Sequence, residues 1–462
     1  MTHGPLVVLH DHLDGGVRPT TVLDLARRHG VGTPTDDVDE LARWMTISAD
    51  IPVAEAFGRF DLVGKVLQTP EALRRVAIEA VEDLAADGVV HAELRFAPLL
   101  HTLGGLSPAE VIAAVESGLE AAEASTGLAA TLIVCAMRDQ PIEITDIAID
   151  AAIAARGGRV VGVDLAGLEM GHPAMDHASA FRRATEAGLG VTIHAGEMDG
   201  HHQVQSALDA CHPPRIGHGW RVIDDCVVEG GRITALGPTA TALRESGTLL
   251  EICPTSNESL GLAVADHPLR MLADAGFRIC LNPDDRSITT TTARRELHRV
   301  TVALGVTAVE HAAMAERAAV AAFLPDDRRA ELVARVRSGW DVSVPRLVHL
   351  AERDRWQAAQ ASGVYLPAEF GADGFIHLSG LHQVLTPANR FYRGRTDLVA
   401  VVVDAHLIAN ALVWEPGTGT DEYFPHLYGA LGADAALDVI DITPEPDGSF
   451  LLPPALVRSV RR

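Results

Sequence analysis

Pro5-Leu6-Val7-Val8-Leu9-His10-Asp11-His12 is an apolar run that ends in two histidines separated by one residue. Alternate side chains of a strand share a face, so His10 and His12 point the same way. Two imidazoles on one face at a strand's end make half of a metal site. Three later segments supply the complement: His194-Ala195-Gly196-Glu197, Gly217-His218-Gly219 and Asn282-Pro283-Asp284-Asp285. Together they predict a mononuclear zinc hydrolase built on a barrel.

Outward from this run, apolar strand-like segments alternate with helix-period segments to about residue 340. The expected strands are Leu6–Leu9, Val89–Phe96, Leu132–Ala136, Val160–Leu165, Val191–His194, Arg215–Gly217, Leu249–Ile252 and Arg278–Asn282. Between them, segments such as Glu71–Ala86, Pro108–Ser125, Ile142–Ala155 and Met175–Ala187 carry apolar residues at three- and four-residue spacing. Thr69-Pro70 and Ser107-Pro108 read as N-caps followed by proline at the first helical position. Eight strand–helix units predict a parallel (β/α)₈ barrel, whose active site gathers at the C-terminal ends of its strands. His10, His12, His194, His218 and Asp284 all fall at such ends. Ile51–Val66, with Phe57, Phe60 and Leu62, has helical apolar spacing and reads as a packed surface helix or an apolar gate over the mouth.

Composition bounds the rest. The chain has 462 residues, 47% of them hydrophobic, and a formal net charge of −24. This balance argues against a nucleic-acid or anionic-membrane partner. No apolar stretch is long enough to span a bilayer, and no signal-like segment precedes the first strand. Five scattered cysteines show no metal-like pairing and suit a reducing, cytoplasmic setting. Lys65 is the lone lysine and lies in a helix-like segment, which excludes a Schiff-base lysine on a barrel strand and a lysine-bridged metal pair.

The chemistry of the four segments is direct. Imidazoles and one carboxylate hold zinc and leave a position for water, whose pKa the ion lowers toward neutrality. A nearby histidine can orient that water, and Glu197, three residues after His194, can donate a proton.

The motifs Leu9-His10-Asp11-His12-Leu13-Asp14-Gly15, Val163-Asp164-Leu165-Ala166-Gly167-Leu168-Glu169, His194-Ala195-Gly196-Glu197, Gly217-His218-Gly219 and Asn282-Pro283-Asp284-Asp285 resemble the adenosine deaminase family, a branch of the metal-dependent amidohydrolases. The likeness runs over roughly the first 340 residues. It implies one Zn²⁺ held by His10, His12, His194 and Asp284. It implies that His218 orients and deprotonates the attacking water, and that Glu197 protonates purine N1 as C6 is attacked. Asp285 would meet N7, the Gly167 backbone N–H would meet N3, and Asp14 the ribose 5′-hydroxyl. The implied substrate is a small purine nucleoside, adenosine or 2′-deoxyadenosine, with a homo-oligomer as an option. The alternatives are a modified adenine nucleoside such as aminofutalosine, and a nucleoside-sensing protein with poor turnover. Three positions depart from the family's usual residues. Pro283 removes a backbone donor beside a ligand, Arg286 is expected to bring a cation to the substrate side of the mouth, and Leu168 replaces an acidic residue. His201 and His202 lie where they could meet a ribose substituent.

A boundary is expected near residue 343, with 1–343 forming the barrel and 344–462 a small α+β domain. Val348-His349-Leu350, Trp356, Gly374-Phe375-Ile376-His377-Leu378-Ser379, Asn389-Arg390-Phe391, Trp414-Glu415-Pro416 and Phe424-Pro425-His426-Leu427-Tyr428-Gly429 resemble DUF952, a bacterial family of unknown function. That resemblance implies an ADP-ribosyltransferase-like fold in which His349, His377 and Glu415 could face an NAD-related cleft. The other reading is a domain that only stabilises the barrel or holds copies of it together.

Overall fold

The computed structural model describes residues 4–340, 346–381, 383–405, 407–408, 411–416 and 423–461. The chain divides into two compact units, Met1–Asp341 and Val342–Arg462.

The first unit is a (β/α)₈ barrel. Its strands are β1 Leu6–His12, β2 Val89–Phe96, β3 Ala129–Met137, β4 Val160–Ala166, β5 Gly190–Ala195, β6 Arg215–His218, β7 Leu249–Ile252 and β8 Arg278–Leu281. They lie side by side in chain order, and every pairing is parallel. Closure comes just past β8, where His12 N–H donates to the Asp284 carbonyl at 2.9 Å and Asp284 N–H donates to the His10 carbonyl at 3.1 Å. The outer helices start as their sequences predict. Thr69 accepts the N–H of Ala72 at the start of helix Pro70–Ala86, and Ser107 forms a capping box with Glu110 ahead of helix Pro108–Thr126. Helix Val53–Val66 buries Leu62; the Phe57 side chain lies outside the described residues.

The barrel interior is charged where hydrocarbon is usual. In β2, His91, Glu93 and Arg95 alternate with apolar residues and share one face. Arg95 bonds Asp164 of β4 at 2.9 Å and Glu251 of β7 at 2.8 Å, while Arg215 of β6 reaches Glu93 at 2.7 Å and Glu251 at 2.8 Å. These five side chains are fully buried, so each charge depends on its partners rather than on water. A two-stranded ribbon, Cys226–Glu229 with Arg232–Leu236, follows β6 and was not expected.

In the second unit, antiparallel strands β9 Arg346–Glu352, β11 Leu398–Asp404 and β14 Ala436–Ile442 form one sheet with β11 central. A second sheet joins β10 Ile376–His377, β13 Tyr423–Leu427 and β12 Leu412–Pro416, with β13 central. Alternation along β11 feeds two cores: Val399, Val401 and Val403 pack with Trp356 and Tyr365, while Ala400 and Val402 pack with Val348 and Phe450.

Among the described residues no helix is long and apolar enough to cross a membrane.

Candidate active site

The motifs quoted from the sequence converge at the C-terminal mouth of the barrel. Ligand atoms of His10, His194, His218 and Asp284 lie within 4.8 Å of one another, and all four residues are buried. His12 joins them from the end of β1, its Nε2 3.2 Å from His194 Nε2 and 3.4 Å from Asp284 Oδ1. β1 turns both imidazoles inward, while Asp11 between them turns outward. Gly217 on β6 leaves the room they need, since a Cβ there would stand 3.0 Å from the His10 ring. Asp284 and His218 both hold positive φ, 63° and 58°, conformations that side-chain-bearing residues seldom adopt. Such backbone costs on the order of 1–3 kcal/mol per residue and marks positions where geometry outranks stability.

The rings of His10 and His194 are oriented from behind. His194 Nδ1 lies 2.9 Å from Asp164 Oδ2, and His10 Nδ1 lies 3.1 Å from Glu251 Oε2. An ionised carboxylate only accepts, so each ring carries its hydrogen on Nδ1 and offers the Nε2 lone pair to the cavity. Arg95 grips both carboxylates, coupling the two rings. His10 Nε2, His218 Nε2 and Asp284 Oδ1 are buried without a hydrogen-bond partner in the protein. Unsatisfied buried polar atoms of this kind are the mark of a missing cation or water. Burial holds the imidazoles of His12, His194 and His218 below their ordinary range. For His10, burial and Arg95 act in the same direction, but Asp284 and Glu251 outweigh them and raise it. The donor set, nitrogen from histidine and oxygen from one carboxylate, suits zinc.

Glu197 sits beside the cluster, its Oε1 3.6 Å from His218 Nε2. Burial, then the Asp284 and Glu169 carboxylates, push its pKa up to about 8. A carboxylic acid that keeps its proton near neutrality is suited to general acid work. Glu169 accepts backbone N–H bonds from Glu197, Met198 and Asp199 at 3.1, 2.8 and 3.0 Å, and also from Gly196. Arg138 donates to the carbonyls of Leu165 and His194, tying the ends of β4 and β5 together.

Asp285 and Asp14 stand next to each other across Gly15, where a Cβ would overlap Asp285 Oδ1. Burial raises Asp14 to about 6, and burial with Asp284 and Asp14 raises Asp285 well above the usual carboxylate range. Gly167, at φ 94°, follows β4 and packs a tight turn against Asp139. Arg286 is a correction to the sequence reading. Its Nε donates to Asp11 Oδ2 at 2.7 Å, on the outward side of β1, so the cation faces the helix layer and not the mouth. His201 lies 3.4 Å from Thr239 Oγ1, and exposed His202 pairs with Asp199.

Comparison with known proteins agrees with this geometry. The family model described as Adenosine deaminase matches residues 5–339. The chain belongs to the adenosine deaminase family. It is a hydrolytic deaminase of a metal-dependent family. An adenosine deaminase of Mycobacterium leprae is 42% identical over 343 residues, covering 72% of this chain and 94% of that protein. Adenine deaminase from Arthrobacter aurescens superposes with a TM-score of 0.66 at 28% identity, covering 73% of this chain and 99% of that one. An amidohydrolase from Burkholderia ambifaria with bound Zn gives 0.65 at 26% identity, over 73% of this chain and 90% of that one. Residues 350–439 match a protein family of unknown function, DUF952.

In the second unit His349 meets His377 directly, and the His426 ring lies between His377, 5.1 Å away centroid to centroid, and Glu415. Buried His349 meets the His377 carbonyl through Nδ1 at 2.8 Å and the Tyr365 hydroxyl through Nε2 at 3.0 Å. The exposed His377 ring pairs with Asp373. Glu415 accepts from His426 and from Tyr428, both at 2.8 Å, and the His426 ring stacks on Phe375. The sequence reading did not single out His426 as a site residue.

Proposed function

We propose that the barrel deaminates adenosine or 2′-deoxyadenosine, exchanging the 6-amino group of the purine for oxygen and releasing ammonia. The observation that carries this reading is Glu197: a half-buried acid with a raised pKa, set beside a cluster of histidines and one aspartate. His10, His12, His194 and Asp284 would hold one Zn²⁺ per chain. When bound, the ion supplies a Lewis acid that makes water nucleophilic near neutral pH.

The chain's own residues do the rest. Asp285 and the Gly167 N–H hold the purine ring at N7 and N3, and Asp14 takes the ribose 5′-hydroxyl. Glu197 gives its proton to N1 as the water oxygen bonds to C6, while His218 orients that oxygen. The C6–N bond then breaks. Of the two water protons, one leaves on ammonia and one returns to Glu197. A half-buried Asp14 left without a ribose hydroxyl costs binding, which favours nucleosides over free adenine.

The test is a panel of adenine nucleosides and adenine, followed by the change in purine absorbance. Adenosine and 2′-deoxyadenosine are expected to turn over fastest. Glu197→Gln should keep its metal and lose on the order of 10²–10⁴-fold in kcat, because an amide cannot supply the proton. Near-normal turnover in that variant would remove Glu197 as the acid.

A further inference from the structure

Beside His218 runs a chain of hydrogen bonds with one unambiguous end. The Leu269 backbone N–H can only donate, and it meets His267 Nδ1 at 3.0 Å. His267 therefore accepts at Nδ1 and, as a neutral ring, carries its hydrogen on Nε2. That nitrogen lies 3.2 Å from Asn257 Oδ1, which accepts. The amide is thereby oriented, with Nδ2 facing His218 Nδ1 at 3.2 Å. An amide nitrogen only donates, so His218 accepts at Nδ1 and its hydrogen sits on Nε2, the atom that faces the cavity.

Turning the Asn257 amide over does not rescue the opposite arrangement. Nδ2 would then face His267 Nε2, the His267 hydrogen would move to Nδ1, and two N–H groups would oppose each other at Leu269. Asn257, His267 and His218 are all buried, so water cannot repair the mismatch. Burial holds His267 down at about 3, which keeps its ring neutral.

His10 and His194 show the reverse polarity, with Nδ1–H given to carboxylates and lone pairs on Nε2. We propose that Asn257 and His267 are positioning residues that hold His218 in its Nε2–H tautomer, so that His218 meets the attacking oxygen as a hydrogen-bond donor and is neither a metal ligand nor a proton acceptor. This rests on the deamination reading given above and corrects one part of what the family resemblance implies. A nitrogen that already carries hydrogen cannot deprotonate water; it stabilises the negative charge that grows on the oxygen. The first water proton leaves on ammonia without passing through His218.

The test uses the full-length, zinc-loaded protein labelled with ¹⁵N-histidine, with the His218 signals assigned by their loss in His218→Gln. In the unsubstituted protein the hydrogen is expected on Nε2; finding it on Nδ1 overturns the proposal without any further variant. Asn257→Asp places an acceptor against Nδ1 and should draw the hydrogen there. With that donor lost, kcat should fall on the order of 10²–10³-fold, while KM changes by less than about threefold and zinc is retained. Normal kcat with the hydrogen moved to Nδ1 also overturns it. His267→Ala should leave both tautomers populated; a single Nε2–H signal there removes His267 from the proposal. If the unsubstituted protein deaminates no adenine nucleoside, the functional reading fails, while the ¹⁵N spectrum still decides the tautomer.

Discussion

The carboxylate of Glu169 receives the backbone N–H of Glu197 at 3.1 Å, together with the N–H groups of the two residues that follow and the one that precedes. Four consecutive amides around one buried carboxylate form a nest that sets the path of the loop after β5. Glu169 also adds negative charge beside Glu197 and helps to keep it protonated.

Glu169→Gln should therefore slow catalysis without emptying the metal site. The variant keeps one acceptor oxygen and turns an NH₂ toward groups that themselves donate. A hydrogen bond to a charged group is worth roughly 1.5–3 kcal/mol, so loosening this nest should lower kcat on the order of 10–100-fold. Steady-state kinetics with metal analysis checks this, and Glu169→Asp should recover part of the loss.

Metal content and activity should fall together in His10→Ala and in His194→Ala. Each substitution removes a lone pair that a carboxylate holds in place from behind. Elemental analysis of the purified variants, read beside turnover, is the measurement. Full metal retention in both would remove these two rings from the ligand set.

Asp14→Ala should shrink the preference for adenosine over adenine. The carboxylate is half-buried and bonded mainly to the N–H of Gly15, so its value lies in what the substrate brings. The readout is the ratio of kcat/KM for the two compounds, and an unchanged ratio would mean that Asp14 does not read the ribose.

Acid should weaken the second unit through His349. A backbone carbonyl only accepts, so His349 donates from Nδ1 to His377 and accepts from Tyr365 at Nε2, which describes a neutral ring. Burial lowers its pKa to about 4, against an ordinary 6.5. Between those values the unfolded chain binds more protons than the folded one. The stabilising contribution is thus complete above pH 6.5 and is lost as the pH falls toward 4, on the order of 3 kcal/mol in all. Denaturation from pH 8 to 5 should show this slope, and His349→Gln should flatten it.

Much of the barrel was legible because its signals are local. Val89–Phe96 and Leu249–Ile252 are strands with the expected bounds, and Thr69-Pro70 and Ser107-Pro108 begin helices as caps followed by proline should. His10, His194, His218 and Asp284 were legible as a cluster because each ends an apolar run, and a parallel barrel brings such ends together. What stayed hidden depends on distant partners. Arg95 and Asp164 are 69 residues apart, and His10 and Glu251 are 241 apart. A single polar residue inside an apolar strand looks the same whatever it pairs with. Asn257 and His267 carry no motif that sets them apart from ordinary loop residues. Arg286, expected at the mouth, is instead captured by the Asp11 carboxylate, 275 residues earlier in the chain. The ribbon Cys226–Glu229/Arg232–Leu236 is largely exposed, so it carries no burial pattern to read.

The ionic interior of the barrel constrains the history of this sequence. Removing one member of Arg95, Asp164, Glu251, Arg215 and Glu93 strands its partners in a dry core, at a cost of roughly 3–5 kcal/mol, a large part of the stability of a typical domain. Replacement by hydrocarbon would be tolerable only if several members changed together. Point-by-point drift therefore cannot convert this interior to the aliphatic packing usual in such barrels. A lineage carrying the network should retain it even where the nucleoside specificity of the mouth diverges, because the loops that read substrate can change one residue at a time and the charged core cannot.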